Sequence, residues 1–150
     1  RYLHLGAASC YRSGGNRDDL LTRLDHFYQV WDRKLSIKPG VPILTLITIC
    51  KNRLEHLKQS LPQMVKQPNA QVVVVDYGCS QGTRDWVKAH YPQVTIVTVD
   101  DDPGWCAARA RNLGAKQAKA DWLCFIDADI VLQGNLTAWV AQHAKQGSYY

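Results

Sequence analysis

Two aspartates in the most apolar segment of the chain are the residues best placed to do chemistry. The sequence LCFIDADIVL, residues 123–132, inserts Asp127 and Asp129 between apolar residues. In an extended segment, residues two positions apart point to the same side, so both carboxylates should face one spot. At roughly 6 Å and an effective dielectric constant of about 20, they repel each other by about 3 kcal/mol. Either one carboxylate keeps its proton or a cation lies near both.

A divalent cation would offset this repulsion. Mg²⁺ and Mn²⁺ prefer hard oxygen ligands and often share a few carboxylates with substrate phosphates. A cation held by Asp127 and Asp129 would neutralise the charge that develops on a departing diphosphate. The alternative is that both aspartates only end a strand in solvent. The residues alone leave both interpretations open.

The composition is that of one globular domain. The chain has 150 residues, of which 46% are hydrophobic and 21% charged, and no apolar stretch approaches the roughly 20 residues that span a bilayer. The net charge of +5 suits an anionic ligand. Lysines and arginines are nevertheless scattered, without a basic run interleaved with aromatic residues, so we expect no nucleic-acid partner.

The cysteines indicate a reducing compartment. There are five of them, an odd number, and no pair has the C-x-x-C spacing. This pattern favours reduced thiols over a disulfide framework and predicts a cytoplasmic location, with peripheral attachment to the inner face of a membrane left open. A thiolate metal site has no support from the spacing.

The chain divides into an N-terminal extension, residues 1–40, and a domain, residues 41–150. Apolar residues at helical spacing predict an amphipathic helix over residues 18–35, with charges of both signs on its polar face. Mixed charges make a membrane-surface helix a weaker interpretation. We expect this helix to pack on the domain, on a partner or on a second copy of the chain.

Strand and helix patterns alternate through the domain. This alternation predicts an α/β fold with a mainly parallel, Rossmann-like sheet, right-handed crossovers and helices on both faces. Ligands of such sheets bind outside the carboxyl ends of the strands. Polar residues follow three of the strands, at 50–53, 76–79 and 127–129. The predicted strands are 43–49, 72–75, 94–99 and 122–126, and the predicted helices are 54–65, 83–89, 102–119 and 136–144.

Three segments of this domain resemble the nucleotide-sugar-binding half of a family 2 glycosyltransferase of the GT-A fold. LITICKNRLEHLKQSL is similar to the first strand and helix of such enzymes, which often read PTYNR. VVVVDYGCSQGTRDW resembles the VVDDGSTDGT segment. GWCAARARNLGAKQAKADWLCFIDADI resembles the G-x-x-x-A-R-N-x-G segment, followed by the apolar strand and the DxD motif. The segments occur in the family's order over residues 42–132.

The resemblance implies an enzyme that moves a sugar from a nucleotide-diphosphate sugar to a hydroxyl of an acceptor glycan or other compound. It implies a Mn²⁺ or Mg²⁺ cofactor with Asp129 as the metal aspartate, while Asp127 reaches the ribose or shares the metal. Arg111 matches the arginine of the A-R-N sequence and would approach the diphosphate or hold the aspartates. A helix-surface salt bridge is the alternative for Arg111.

The same resemblance places the nucleotide base near the ends of the first two strands. Asp76 falls on the first aspartate of VVDDGS, and Cys50 and Lys51 would line the base pocket. Tyr77 replaces the second aspartate of that motif, Lys51 replaces the tyrosine of PTYNR, and Gln81 replaces the aspartate of STDGT. Tyr77 would stack on or bond a base, and the identity of the base stays open. Trp105 is either a core residue or a sugar platform.

Members of this family usually continue well beyond the DxD motif. The later part supplies acceptor contacts and a carboxylate general base. Residues 130–150 contain no Asp or Glu and offer His143 as a titratable candidate. We therefore expect the general base beyond residue 150 and a truncated, donor-binding half with little activity alone. A non-catalytic nucleotide-sugar-binding or interaction module is the main alternative. A phosphatase with a similar Asp-x-Asp motif and a nucleotidyltransferase are less favoured.

Overall fold

The computed structural model describes residues 2–5, 42–101 and 104–144. The helix expected over residues 18–35 lies outside them. Among the described residues, no helix has the length and apolar character needed to cross a membrane. The strands are β1 (Tyr2–Leu5), β2 (Leu44–Cys50), β3 (Ala70–Asp76), β4 (Thr95–Thr98) and β5 (Trp122–Ile126), and the helices are α1 (Leu54–Val65), α2 (Thr83–His90), α3 (Ala107–Ala115) and α4 (Leu136–His143).

The five strands form one parallel sheet in the order β1-β5-β2-β3-β4. Strands β2 and β5 are buried along almost their whole length, as parallel strands covered on both faces must be. The predicted α/β class and Rossmann-like sheet are confirmed. Strand β1 was not predicted: it comes from the N-terminal extension and pairs with β5 at the sheet edge.

Helices cover both faces of the sheet, as expected. On one face, α1, α2 and α4 contribute Leu57, Val87 and Val140 to an apolar cluster with strand residues of β2, β3 and β5. On the other face, α3 contributes Ala110 to a second cluster. Gly114 lets α3 approach closely, because a Cβ there would lie 2.5 Å from Cγ2 of Ile47.

Helix α3 is shorter at both ends than the predicted helix over residues 102–119. Its N-cap is Cys106, whose sulfur accepts a hydrogen bond from the Arg109 amide. Beyond its end, the Gln71 side chain of β3 accepts from the Lys119 amide at 2.8 Å and donates to the Gln117 carbonyl at 2.9 Å. These tertiary bonds turn the chain toward β5. The other predicted elements agree with the structure within two residues.

Candidate functional site

A cavity of about 540 Å³ opens at the carboxyl ends of β2 and β5. The two strands are adjacent in the sheet, so the residues that follow them meet at one edge. The start of α3 closes a third side. Three basic and two acidic side chains share this space with apolar groups. The lining residues are Ile49, Lys51, Arg53, Trp105, Ala107, Arg111, Asp127, Ala128 and Asp129.

The two aspartates follow β5 in a turn, not in the extended segment that the sequence predicted. The amide of Ile130 donates to the carbonyl of Asp127 at 3.0 Å and closes this turn. Ala128 between them is buried, and its carbonyl accepts a 2.7 Å hydrogen bond from Ser60 Oγ of α1. Asp127 and Asp129 are exposed and both line the cavity. The turn therefore places both aspartates on one cavity by a local geometry different from the one predicted.

An ion pair links this turn to the end of β2. Arg53 Nη1 lies 2.9 Å from Asp129 Oδ2, and the two side chains are 57% and 42% exposed. Sequence reasoning missed the contact because the residues lie 76 positions apart. The sequence indicated Arg53 only as a member of the polar group, residues 50–53, at the end of β2. Its partner depended on β5 lying beside β2, which no local pattern reveals.

Lys51 and Trp105 enclose a fully buried tyrosine beside the cavity. The Lys51 ammonium lies 5.1 Å from the centroid of the Tyr77 ring, a distance at which a cation is attracted to the ring face. The Trp105 and Tyr77 rings meet edge to face with centroids 5.2 Å apart. Trp105 is 54% exposed, so it is not a core residue. Tyr77 supports the two lining side chains without lining the cavity itself.

The Asp76 carboxylate stabilises the loop between β3 and α2 through two hydrogen bonds. Its Oδ1 accepts from the Cys79 amide at 2.9 Å and its Oδ2 from the Arg84 amide at 3.0 Å. Burial raises the pKa of Asp76 above its ordinary value, although these two hydrogen bonds act in the opposite direction. The carboxylate is buried and does not line the cavity.

Cys50 faces the side of the sheet away from the cavity. Ile49 and Lys51 line the cavity, and alternation along the strand turns Cys50 to the opposite face. Its thiol is fully buried and lies 3.3 Å from Thr83 Oγ1. Of the predicted site residues, the structure brings Lys51, Arg111, Asp127 and Asp129 together around the cavity. Cys50, Asp76 and Tyr77 lie behind it, and the roles of all seven remain predictions.

The cavity offers two hard-oxygen side chains for a cation. Within the described parts of the chain, no three His, Cys, Asp or Glu side chains converge as a complete protein metal site would. Mg²⁺ and similar cations are commonly held by one or two carboxylates, with phosphate oxygens and water completing the shell. Asp127 and Asp129 fit a cation of that kind, bound together with a phosphate ligand.

Comparison with known proteins identifies related sequences. A family model described as Glycosyl transferase family 2 matches residues 45–149. Validoxylamine A glucosyltransferase of Streptomyces hygroscopicus subsp. jinggangensis (strain 5008) is 34% identical over 96 residues, which cover 61% of this chain and 23% of that enzyme. An uncharacterized glycosyltransferase of Haemophilus influenzae is 32% identical over 89 residues, which cover 58% and 29%. The chain thus spans about a quarter of the length of these curated relatives.

Solved structures share the fold. The mannosyltransferase PcManGT from Pyrobaculum calidifontis, in complex with GDP-Man and Mn²⁺, aligns with a TM-score of 0.57 and 22% identity over 84% of this chain and 40% of its own. S. aureus TarS 1–349 in complex with UDP aligns with a TM-score of 0.56 and 21% identity over 67% of this chain and 32% of its own. At these identities the likeness shows the fold alone.

Proposed function

This chain belongs to glycosyl transferase family 2, and we propose that its cavity binds the diphosphate of a nucleotide-sugar donor. The donor's sugar would pass to a hydroxyl of an acceptor glycan or other compound. One observation carries the proposal: two exposed carboxylates and three basic side chains line a single cavity at the carboxyl ends of β2 and β5. Acidic groups suit a bridging cation, and basic groups suit the phosphates.

Arg111 is the residue that we propose binds the diphosphate. Charge-assisted hydrogen bonds to phosphate are roughly twice as strong as neutral ones. The planar guanidinium of Arg111 matches two phosphate oxygens at once. Ala107, at the first turn of α3, also lines the cavity. The amino end of that helix adds a favourable field for an anion.

Asp127 and Asp129 would hold a divalent cation, Mn²⁺ or Mg²⁺. Such a cation, when bound, offsets the charge of the leaving diphosphate. Arg53 pairs with one oxygen of Asp129 at 2.9 Å. We propose that Arg53 moves from that oxygen to a phosphate when the donor binds. The positive charge of Arg53 then keeps a negative partner in the cavity.

The base and the acceptor would occupy the edges of this cavity. The exposed indole of Trp105 offers a face for stacking, and Lys51 beside Tyr77 offers a donor to a base carbonyl. Asp76 would act indirectly, because it holds the loop that carries Tyr77.

Since Asp127 and Asp129 would be committed to the cation, we expect the general base for the acceptor hydroxyl outside this lining.

Calorimetric titration with nucleoside diphosphates tests the proposal. The chain is titrated with UDP, GDP and CDP, each with and without Mn²⁺. We expect one nucleotide to bind only with Mn²⁺, and Asp129→Ala to abolish that binding. The matched control is Asp85→Ala, which removes an exposed carboxylate of α2 that lies outside the cavity and should leave binding unchanged. Two results would contradict the proposal: nucleotide binding that is unchanged by Mn²⁺ and by Asp129→Ala, or no binding of UDP, GDP or CDP.

A further inference from the structure

A single hydroxyl contacts two sulfur atoms behind the cavity. Thr83, the first residue of α2, is fully buried. Its Oγ1 donates to Cys79 Sγ at 3.0 Å and lies 3.3 Å from Cys50 Sγ. Cys50 ends β2, and the sheet register pairs it with Asp76, the last residue of β3. The turn after Asp76 then returns Cys79 to the end of β2, where the Asn52 amide donates to its sulfur at 3.2 Å.

The hydrogen-bond directions distinguish the two thiols. A threonine hydroxyl has one proton to donate, and here it points at Cys79. The bond between Thr83 and Cys50 must then use the Cys50 S–H as donor, so Cys50 is the protonated partner. Burial raises the pKa of the Cys50 thiol to about 11, which agrees with this assignment.

The pKa of the Cys79 thiol is shifted in the opposite direction. Burial acts to raise its pKa, but hydrogen bonds from Thr83 and from the Gln81 and Asn52 amides outweigh it, and the pKa of Cys79 falls below its ordinary value. The thiolate is the reactive form of cysteine. Cys79 is also partly exposed in the loop between β3 and α2, whereas Cys50 is fully buried behind it. A small reagent therefore reaches Cys79 first.

From this cluster we propose that Cys79 and Cys50 form a peroxide-sensitive thiol pair, a site of reversible oxidation. The Cys79 thiolate attacks one oxygen of hydrogen peroxide; a sulfur–oxygen bond forms, the O–O bond breaks and hydroxide leaves. The Cys50 sulfur then attacks the sulfur of this sulfenic acid. The S–S bond forms as the S–O bond breaks, and the hydroxyl leaves with the Cys50 proton as water. The two thiols lose two electrons, which the peroxide gains.

Cys106 provides an internal comparison within the same chain. It is more exposed than Cys79, and its sulfur accepts a longer hydrogen bond, 3.5 Å from the Arg109 amide. If exposure alone governed oxidation, Cys106 would react before Cys79. If the hydrogen bonds around Cys79 govern it, Cys79 reacts first.

Peptide mapping after graded peroxide treatment tests the pair. The full chain is treated with hydrogen peroxide, remaining thiols are alkylated, and the unreduced digest is analysed by mass spectrometry. We expect a Cys50–Cys79 disulfide to form several-fold faster than Cys106 is oxidised. In Cys50→Ser, dimedone should trap Cys79 as a sulfenic acid. Cys106→Ser is the matched control and should leave the disulfide unchanged.

The role of Thr83 is tested with two further variants. Thr83→Val removes the hydroxyl at nearly constant volume and should slow Cys79 oxidation several-fold. Thr83→Ser keeps the hydroxyl and should restore the rate, which separates loss of the hydrogen bond from a packing defect. Equal or faster oxidation of Cys106, a disulfide from Cys79 to any other cysteine, or unchanged kinetics in folded Thr83→Val would each overturn the proposal. No step uses a nucleotide, so the outcome is independent of donor binding.

Discussion

Arg53 pairs with Asp129, one of the two carboxylates that we propose hold a cation. Both side chains are substantially exposed, so their attraction is screened and contributes about 0.2–1 kcal/mol. A pair this weak would give way to a divalent cation bound at the two aspartates. Arg53 should therefore compete with a metal when no nucleotide is bound.

Replacing Arg53 by glutamine should tighten Mn²⁺ binding in the absence of nucleotide. The screened pair corresponds to a gain of up to about fivefold in affinity, and the loss of a nearby positive charge acts in the same direction. Titration of free Mn²⁺ by electron paramagnetic resonance measures this. Arg109→Gln, which breaks an exposed pair with Asp101 outside the cavity, is the control and should have no effect. Weaker Mn²⁺ binding in Arg53→Gln would refute the competition.

The sequence alone could have predicted that Cys50 and Lys51 lie on opposite faces of the sheet. Strand alternation puts Ile49 and Lys51 on one face and Cys50 on the other, so the separation of Cys50 from Lys51 was available in the sequence. The hydrogen bonds of Asp76 to the Cys79 and Arg84 amides were not. They depend on how the loop folds back after β3.

The buried thiols make the fold sensitive to alkali. Burial raises the pKa of Cys124 in β5 to about 12, from an ordinary 9.0. Between these values the unfolded chain releases the proton and the folded chain keeps it. The free energy of unfolding therefore falls as pH rises above 9, by up to about 1.4 kcal/mol per pH unit for this thiol.

Denaturant unfolding at several pH values from 9 to 11 measures this loss. Cys124→Ala should unfold more easily overall but show a shallower decline with pH than the unsubstituted chain. Val74→Ala makes a comparable hole in the same apolar cluster without removing a titratable group. It should keep the original slope. Equal slopes in all three chains would contradict the role of Cys124.

At the scale of elements, α3 packs closely on the sheet through Gly114. A Cβ at Gly114 would lie 2.5 Å from Ile47 Cγ2 and 3.1 Å from Val75 Cγ2. Gly114→Ala should lower the free energy of unfolding by about 1–3 kcal/mol through overpacking, despite a gain in helix propensity of up to about 1 kcal/mol. Thermal unfolding measures the difference. Gly104→Ala, with no atom within 4 Å of its Cβ, is the control, and equal stability of both variants would rule out the clash.

Strands β2 to β5 were predictable because their signals are local. Runs such as LTLITIC and WLCFI are apolar on both faces and lie between turn residues. The ends of α3 were less predictable, because Gln71 of β3 binds the Gln117 carbonyl and the Lys119 amide from a distant part of the chain. A helix pattern does not reveal which distant side chain will end it.

At the scale of the whole molecule, strand order determines the site. β5 lies between β1 and β2, so the aspartates that follow it meet Lys51 and Arg53 rather than the residues after β4. The alternating pattern predicted a parallel sheet but not this order. The pairing of Tyr2–Leu5 with Leu123–Ile126 joins segments almost at opposite ends of the chain. Such pairing depends on the assembled sheet, and a four-residue segment carries too little pattern to indicate it.

Paramagnetic line broadening by Mn²⁺ tests most directly whether a cation and a diphosphate share the cavity. Backbone amide signals of the isotope-labelled chain are recorded with a nucleoside diphosphate before and after Mn²⁺ is added. If Asp127 and Asp129 hold the cation, we expect strong broadening at Lys51, Ala128 and Asp129, and much weaker broadening at Gln71 and Lys119 near the amino ends of the strands. Broadening centred away from the carboxyl ends of β2 and β5, or undiminished in Asp129→Ala, would contradict it.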